Sequence, residues 1–364
     1  MTDLTPELLE RIRSRAAGYD RDNTFFTEDL AELREAGYLA PRSLLETARD
    51  QRLLAAYAPA TALGINMHHV WVGVARVLHD RGDASLDWVL ADASAGELFA
   101  FGNSEQGNDL VLWDSTTLAE PVDDGYRFTG TKIFTSLAPA WTRLGIFGRN
   151  GEHLVHGFIT RETPGWRTIE DWDTLGMRAT QSHTTALEGA LVPTDRVARI
   201  LPVGPNADPF IFGIFSNFLL LIGSVYAGIA DRALELAVEA VKRRTSQKTG
   251  TTYDQDPDFR WRVADAALAL DALAPQLETL AADVDGLVNH GANWFRYLTG
   301  AKHRATETAR YVVDQAMRSA GGGGYRTASE LSRLQRDVLA GIYHPSDTES
   351  VHNTVATNLL GPLA

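Results

Sequence analysis

The sequence has no cysteine among its 364 residues. This absence excludes disulfide scaffolds, thiolate zinc sites and cysteine nucleophiles. The sequence also lacks a basic surplus, because 34 Lys and Arg against 47 Asp and Glu leave a formal net charge of −13. Proteins that bind nucleic acid or an anionic membrane need positive charge to neutralise phosphates, so neither is an expected partner. The chemistry must come from other side chains or from a bound cofactor.

The sequence also lacks the common nucleotide-binding loop motifs and the residue spacing of a metal site. No G-x-G-x-x-G lies on a strand-to-helix turn and no G-x-x-x-x-G-K-[ST] occurs, which excludes the two common phosphate-binding loops. Among the 10 histidines, the adjacent pair His68 and His69 falls in a predicted helix. Adjacent helical side chains point about 100° apart, which disfavours a shared metal. We expect packed or hydrogen-bonded histidines there and predict no metal site.

Targeting segments are not predicted. Residues 1–14 are charged and have no apolar run, so we expect neither a secretory signal nor a transit peptide, and a cytoplasmic location. Residues 210–230 carry no charge and are long enough to span a bilayer. They have acids just outside both ends and continue into the amphipathic segment 232–244. We therefore expect a helix buried in a soluble bundle rather than a membrane span.

The hydrophobic period divides the chain into three parts. Residues 1–98 repeat apolar positions at helical spacing, and helical patterns return in 204–364. Between them, 99–203 are rich in Thr, Val, Phe, Ile and Trp, with turn signals at 123–125 and 149–151. Segregated helices and strands argue against a doubly wound parallel sheet. The prediction is an α+β protein, mostly α, with three domains at these boundaries.

The longer helical predictions each come from a continuous apolar periodicity. They cover residues 26–37, 60–78, 212–244, 259–284 and 294–320. The last of these runs into four consecutive glycines, residues 321–324.

Five motifs occur in order along the chain. They are FAFGNSEQGND at 99–109, GYRFTGTKIFTS at 125–136, Gly165-Trp166, GMRAT at 176–180 before Val192-Pro193, and GGGY at 322–325 followed by Arg333 and Arg336-Asp337. Together they resemble the acyl-CoA dehydrogenase superfamily of flavoproteins over nearly the whole chain. The resemblance implies an N-terminal helical domain, a middle β-barrel and a C-terminal four-helix bundle. It also implies FAD, with FMN or a reduced flavin supplied by a partner as the alternative.

A flavin ring needs aromatic cover together with hydrogen-bond donors along its polar edge. Phe134 and Ser136 are two residues apart in a predicted strand and would face the same side. By resemblance, Phe134 would cover the ring and Ser136 would hydrogen-bond the region of its N5 atom. From the residues alone, a half-buried strand residue beside a turn hydroxyl is the favoured explanation. Asn108, in the first motif, is a further candidate cofactor-binding residue.

The cofactor phosphates need donors and positive charge. Arg244 resembles the arginine that reaches the flavin pyrophosphate, although the neighbouring Arg243 could be the residue in register. Gly322 and Gly323 would let backbone approach the adenosine diphosphate part of a neighbouring subunit's FAD. A solvated arginine at a helix C-terminus and a glycine helix cap are the simpler readings.

The catalytic base of a dehydrogenase is missing from both places where the family puts it. An acyl-CoA dehydrogenase needs a glutamate over the ring to remove the α-proton. One place holds IYHPSDT at 342–348, and the other holds Phe218. A histidine before proline, as at His344, resembles the branch that uses reduced flavin for monooxygenation. There His344 would donate a hydrogen bond or move a proton, and apolar walls such as Phe212 would exclude water.

Three hypotheses follow for a small-molecule substrate of unknown identity. The first is a monooxygenase with His344 and Ser136 as catalytic residues and a possible flavin reductase as partner. The second is an acyl-thioester dehydrogenase whose base is displaced to Asp347, Glu349 or Glu105. The third is a flavin-binding protein without catalysis. The resemblance also implies a homotetramer or a homodimer.

Overall fold

The computed structural model describes residues 3–110 and 112–363. Within that part of the chain, all strands lie between Phe99 and Pro202, and long helices precede and follow them, which confirms the predicted fold class. The helices are α1 (Pro6–Asp22), α2 (Thr27–Glu35), α3 (Leu44–Ala55), α4 (Pro59–His79), α5 (Asp87–Ser94), α6 (Pro209–Arg243), α7 (Pro257–Asp271), α8 (Leu273–Asp285), α9 (Asn293–Ala320), α10 (Glu330–Val338) and α11 (Thr348–Leu360). The strands are β1 (Phe99–Gly102), β2 (Leu118–Val122), β3 (Gly125–Lys132), β4 (Arg143–Asn150), β5 (His153–Thr160), β6 (Trp166–Ile169), β7 (Thr184–Pro193) and β8 (Val197–Pro202). The division into three domains stays a prediction.

One predicted helix is two helices in the structure. Residues 259–284 were expected to be continuous, but α7 ends at Asp271 and α8 begins at Leu273. Pro275 has no N–H to donate to the carbonyl of Asp271, and its ring crowds that carbonyl. The proline therefore interrupts a periodicity that continues through it.

The strands form a single sheet in the order β6-β7-β3-β2-β4-β5-β8, and β1 pairs with β4 in parallel. The turn signals at 123–125 and 149–151 connect the antiparallel pairs β2–β3 and β4–β5, as predicted. The sheet curls over itself, because a Cβ on Gly157 of β5 would lie 2.5 Å from Val192 Cγ1 of β7. This curled sheet lies between the N-terminal and C-terminal helices.

Trp71 of α4 joins the three parts of the core. Its indole N–H donates to the carbonyl of Ala100 in β1 at 3.0 Å, and its ring contacts Phe101, Phe158 and Phe210. Gly145 of β4 permits this approach, because a Cβ there would lie 2.3 Å from the indole ring. The tryptophan thus fixes α4 and α6 against the sheet.

Helix α6 and the His68–His69 pair agree with the sequence predictions. Among the described helices, α6 alone has the length and apolar composition to cross a membrane, and most of that apolar window is buried inside the protein. Both histidines are buried, and His68 bonds the Leu39 carbonyl at 2.8 Å and the Phe99 amide at 3.2 Å. Core packing accounts for both features.

Candidate functional site

A cavity of about 600 Å³ lies where the curled sheet meets α6, α10 and α11. A volume of this size is typical of small-molecule sites. Most of its lining comes from four segments: the loop after β1, the segment after β3, the segment between β6 and β7, and the segment between α10 and α11. The lining includes Phe101, Asn103, Glu105, Asn108, Asp109, Phe134, Ser136, Trp172, Thr180, Ser182, Phe218, Ile222, Arg336, His344 and Asp347. Four residues predicted for the site, Asn108, Phe134, Ser136 and His344, therefore border one space.

Phe134 and Ser136 lie beyond the strand that was predicted to hold them. Strand β3 ends at Lys132, and Phe134 takes a left-handed backbone conformation with φ 58°. The shared face was therefore not produced by strand alternation, and that part of the prediction is wrong. The ring of Phe134 is 57% exposed and meets Trp172 edge-on, with centroids 6.0 Å apart. Non-glycine residues in this conformation cost energy and are concentrated at functional sites.

Ser136 is the first of three hydroxyls in a row. Its Oγ lies 2.8 Å from Ser182 Oγ, which lies 2.7 Å from Thr180 Oγ1. Two backbone hydrogen bonds flank the row, from Thr135 N to the His183 carbonyl at 3.2 Å and from Leu137 N to the Thr180 carbonyl at 3.3 Å. The two segments are therefore held together on both sides of the hydroxyls, and all three hydroxyl residues line the cavity.

His344 is held between the cavity and a buried lysine. Burial lowers the pKa of its imidazole to about 3, with the positive charge of Lys302 adding to the effect, so the ring is neutral at physiological pH. Its Nε2 is buried without a hydrogen-bond partner among the described residues. The ammonium of Lys302 donates to the carbonyls of Gly341 at 3.0 Å, His344 at 2.8 Å and Ser346 at 2.9 Å. All three ammonium protons therefore fix the segment that carries His344.

Glu105 is engaged by a buried ion pair. Its Oε1 lies 2.6 Å from Lys132 Nζ, and it accepts further hydrogen bonds from Ser115, Thr116 and Thr117. Burial alone would raise the pKa of this carboxyl, but the Lys132 charge and these hydrogen bonds outweigh burial and lower it. A carboxylate held ionised by so many donors is a poor proton acceptor.

The other acidic candidates differ in position. Asp347 lines the cavity, and its Oδ1 accepts the Ser350 amide at 2.8 Å as the N-cap of α11. That hydrogen bond lowers the pKa of Asp347. Glu349 lies in the first turn of α11 and is not among the lining residues.

Asn108 and Asp109 lie in the loop after β1. Asp109 lines the cavity. The side-chain amide of Asn108 donates within its own loop to Glu105 and to the Asp114 carbonyl.

Arg244, Gly322 and Gly323 lie together but away from this cavity. The Arg244 guanidinium donates to the Ser319 carbonyl at 2.5 Å and contacts Gly321. A Cβ on Gly322 or Gly323 would meet nothing within 4 Å, so this glycine surface is open. Along α6, Arg244 lies 22 residues beyond the cavity residue Ile222, which is about 33 Å at 1.5 Å per residue. These residues and the cavity residues of one chain therefore belong to two separate places.

Three residues of the site were missed by the sequence analysis: Lys302, Ser182 and Thr180. Lys302 lies in an amphipathic helix, where most lysines are exposed and carry no function. Its position among the buried residues of α9 was a signal that could have identified it. Thr180 belongs to the GMRAT motif and bonds the nearby Ser182, but Ser182 in turn bonds Ser136, which is 46 residues away. No local sequence pattern predicts a hydrogen bond between residues so far apart in the sequence.

The cavity fits an isoalloxazine ring. It offers the exposed Phe134 and apolar side chains of α6 for the flat surface, and Ser136 for the polar edge. Asn103 Oδ1 and His344 Nε2 are buried polar atoms that lack a hydrogen-bond partner among the described residues. Buried polar atoms need partners, which a heteroaromatic ligand with donors and acceptors supplies. Within the part of the chain described, no group of histidines and acids is arranged for a metal ion.

Comparisons with known proteins agree with this geometry. The family model described as "Acyl-CoA dehydrogenase, C-terminal domain" matches residues 220–346. The amino sugar nitrososynthase DnmZ of Streptomyces peucetius is 27% identical, over 93% of this chain and 88% of that protein. The putative acyl-CoA dehydrogenase YdbM of Bacillus subtilis is 25% identical, over 96% of this chain and 93% of that protein.

A solved structure has the same fold. KijD3, in complex with FMN and a dTDP-linked amino sugar, has a TM-score of 0.84 and 24% identity, covering 100% of this chain and 96% of that one. Matches along the whole length agree with the resemblance drawn from the five motifs, and the solved structure of KijD3 holds a cofactor of the kind that it implies. Residues 220–346 match the C-terminal domain of acyl-CoA dehydrogenases, and the whole chain is similar to flavin-dependent oxidoreductases of that superfamily.

Proposed function

We propose that this protein is a monooxygenase that uses reduced flavin to hydroxylate the nitrogen of a small amine. The observation that carries the proposal is His344, a neutral imidazole at the cavity where a dehydrogenase of the family has its carboxylate base. Glu105 is already neutralised by Lys132, so it does not replace that base.

The reaction balances as RNH₂ + O₂ + reduced flavin → RNHOH + H₂O + oxidised flavin. Bound reduced flavin supplies the two electrons and activates dioxygen. Neutral His344 can donate one ring N–H to a polar atom in the cavity and keep the other nitrogen as an acceptor. Apolar side chains of α4 and α6, among them Met67, Phe218 and Ile222, exclude water from the same space.

The charges around the cavity support an amine substrate. Asp109 and Asp347 are carboxylates on its lining. Among the described lining residues, Arg336 is the only Lys or Arg, and Asp20 accepts from its guanidinium at 2.8 Å. An ammonium group is favoured by this balance over an anionic substrate group. The name of the relative DnmZ, amino sugar nitrososynthase, states an amine substrate. This supports an amine as the substrate class here as well.

The proposed reaction needs an electron donor that reduces the flavin. Its sequence has no G-x-G-x-x-G on a strand-to-helix turn for a nicotinamide cofactor. We therefore propose a separate flavin reductase as partner and FAD or FMN as the flavin. In the FAD case, Arg244, Gly322 and Gly323 of one copy would hold the diphosphate of a flavin in another copy, because about 33 Å of helix separates them from their own cavity. This arrangement needs at least a homodimer.

The test is a single-turnover reaction of the purified protein with chemically reduced FMN or FAD, oxygen and isobutylamine. Hydroxylamine formation and hydrogen peroxide release are measured together. We expect hydroxylamine from wild type, and from His344→Ala a shift to hydrogen peroxide with less than a tenth of the hydroxylamine. Peroxide alone from wild type with every amine of a primary alkylamine panel would reject the proposal.

A dehydrogenase remains the second candidate because the carboxylate of Asp347 lines the cavity three residues after His344. In this case butyryl-CoA bleaches the flavin-loaded protein under anaerobic conditions, and Asp347→Asn abolishes the bleaching. No bleaching by acyl-CoA esters of 4 to 16 carbons would exclude it.

A further inference from the structure

We propose that Ser136, Ser182 and Thr180 form a reversible chain of hydroxyls that lets the cavity wall hydrogen-bond a flavin in both of its redox states. Each hydroxyl has one proton to donate and lone pairs to accept with. The two links, 2.8 Å and 2.7 Å, allow either oxygen to be the donor. The chain therefore has two directions of nearly equal geometry.

The two directions present different groups to the cavity. When Thr180 donates to Ser182 and Ser182 donates to Ser136, the proton of Ser136 is free for an acceptor in the cavity. When the direction reverses, Ser136 donates to Ser182 and its oxygen accepts from a donor in the cavity. One wall position thus serves either kind of ligand atom without a change in backbone structure.

A flavin contains an atom that requires this property. N5 of the oxidised ring is an acceptor, and in the reduced ring it carries a proton and is a donor. A fixed backbone N–H can satisfy only the oxidised ring, and a carbonyl only the reduced one. A lone hydroxyl could rotate, but as an acceptor it would leave its own proton without a partner. Ser182 takes that proton in the reversed direction and donates its own to Thr180, whose proton is then free for an acceptor in the cavity that Thr180 also lines.

The surrounding backbone holds the chain rigid. The flanking hydrogen bonds at Thr135 and Leu137 fix the two segments, and Ser182 and Thr180 are 5% and 1% exposed. Leu137 and Gln181, directly beside the hydroxyls, adopt positive φ of 65° and 43°. The side-chain amide of Gln181 is fixed by the carbonyl of Asn23 at 3.0 Å. Such conformations persist where the surroundings determine them strongly, and here they lie directly beside the three hydroxyl residues.

Ser182 and Thr180 are positioning residues in this scheme, because they act on the ligand through Ser136. Ser182→Ala removes the acceptor for the Ser136 proton in the reversed direction only. The reduced flavin should therefore lose about one net hydrogen bond, or roughly fivefold in affinity, and the oxidised flavin less than twofold. Thr180→Val should act in the same direction with a smaller effect.

The experiment measures the dissociation constants of FMN and of anaerobic reduced FMN for each variant. We expect Ser182→Ala to raise the ratio of the reduced to the oxidised constant about fivefold, which lowers the two-electron potential of the bound flavin by about 20 mV. Thr185→Val is the matched control, because Thr185 is buried in β7, has no hydrogen-bond partner for its hydroxyl among the described residues, and does not line the cavity. It should leave the ratio unchanged.

Equal weakening of both redox forms by Ser182→Ala, or no weakening of either, would overturn the hydroxyl chain. These titrations need no amine and no oxygen, so a protein that fails to hydroxylate amines can still support the chain. Wild-type protein that binds neither form of FMN nor either form of FAD would overturn this inference and the proposed function together.

Discussion

The ammonium nitrogen of Lys302 lies 2.8 Å from the backbone oxygen of His344. Two further carbonyls of the same segment, those of Gly341 and Ser346, complete the set around the lysine. Burial lowers the pKa of Lys302 to about 8, while the nearby carboxylates of Asp347 and Glu307 act to raise it. The lysine is therefore mostly charged near pH 7 and supplies one proton to each carbonyl.

Replacing Lys302 with methionine should release the segment that carries His344. The methionine keeps the length and removes the donors to the buried carbonyl of Gly341 and the partly buried carbonyls of His344 and Ser346, which destabilises the fold by about 2 kcal/mol or more. We expect a lower melting temperature and a shifted imidazole resonance of His344 in ¹³C-histidine NMR. The resonance is assigned from its loss in His344→Gln.

Lys302→Arg is the conservative control for that measurement. It keeps the charge and several donors, so the His344 resonance should return at least partly toward its wild-type position. An unshifted resonance in Lys302→Met would show that the segment holds its shape without the lysine.

Asp347 caps the N-terminus of α11 and also places a negative charge on the cavity lining. Two substitutions separate these two roles. Asparagine is as good a helix N-cap as aspartate, so Asp347→Asn should keep the bond to the Ser350 amide and change the unfolding free energy by less than about 0.5 kcal/mol. Asp347→Ala should lose about 1 kcal/mol. If the carboxylate recognises an ammonium, KM for isobutylamine should rise about tenfold in both variants, as for the loss of a charge-assisted hydrogen bond.

Glu349→Gln is the matched charge control, since Glu349 lies in the same helix turn but is not among the lining residues. It should leave KM unchanged. A KM that rises equally in Glu349→Gln would assign the effect to the overall field of the helix end rather than to Asp347.

Sequence patterns predicted the parts of this protein that depend on local chemistry. The turns at 123–125 and 149–151 contain residues that favour hairpin turns. The buried helix α6 is predicted by a long run without charged residues. The break at Pro275 was also local and should have been predicted from the proline alone.

The hydroxyl chain and the lysine of the site depend instead on contacts between distant segments. Ser136 and Ser182 are 46 residues apart, and Lys302 is 42 residues from His344. The positive φ of Phe134 has no sequence signature, because a phenylalanine gives no local reason to adopt it. Such features become visible only when the chain is folded.

Gly176 should be intolerant of any side chain. A Cβ there would lie 2.3 Å from the carbonyl oxygen of Arg336, which is backbone of α10 and cannot move aside. The same contact brings Met177 N within 2.6 Å of the buried carboxylate of Asp337. Gly176→Ala should therefore cost roughly 2–3 kcal/mol of stability and weaken FMN binding, because the segment between β6 and β7 that bears Thr180 and Ser182 loses its support.

Calorimetry and FMN titration of Gly176→Ala check this expectation against Gly18→Ala. Gly18 is a helical glycine of α1 whose Cβ would meet one arginine nitrogen at 3.9 Å. Alanine at that position should stabilise the protein slightly, by about 0.5–1 kcal/mol. A Gly176→Ala protein as stable as wild type would mean that α10 can shift away from the segment.

The buried pair Glu105 and Lys132 should be far more sensitive to single than to double substitution. Lys132 is fully buried and lies 4.0 Å from the Phe147 ring centroid, so Glu105→Gln leaves its charge without a counter-ion. We expect a loss of about 3–5 kcal/mol for Glu105→Gln and a smaller loss when Lys132→Met is added. Urea unfolding of both single variants and the double variant measures this coupling, and strictly additive losses would contradict it.

His156 should make the protein more stable when it is replaced by phenylalanine. The imidazole is buried against Phe147 with ring centroids 5.0 Å apart, and both of its nitrogens lack a hydrogen-bond partner among the described residues. Burial lowers the pKa of His156 to about 3, with the Lys132 charge adding to the effect. Removing two unsatisfied polar atoms while keeping the stacked ring should raise the unfolding free energy by about 1 kcal/mol at pH 8.

The gain should grow as the pH falls. Below pH 6.5 the unfolded chain binds a proton at His156 that the folded protein does not, so acid favours the unfolded state down to pH 3. This cost is absent above pH 6.5 and reaches about 1.4 kcal/mol at pH 5.5. Urea unfolding at pH 8 and pH 5.5 should give His156→Phe the larger advantage at pH 5.5. His153→Gln, at the exposed start of the same strand, should leave the unfolding free energy unchanged at both pH values. An equal advantage of His156→Phe at pH 8 and pH 5.5 would mean that the buried imidazole is protonated in the folded protein.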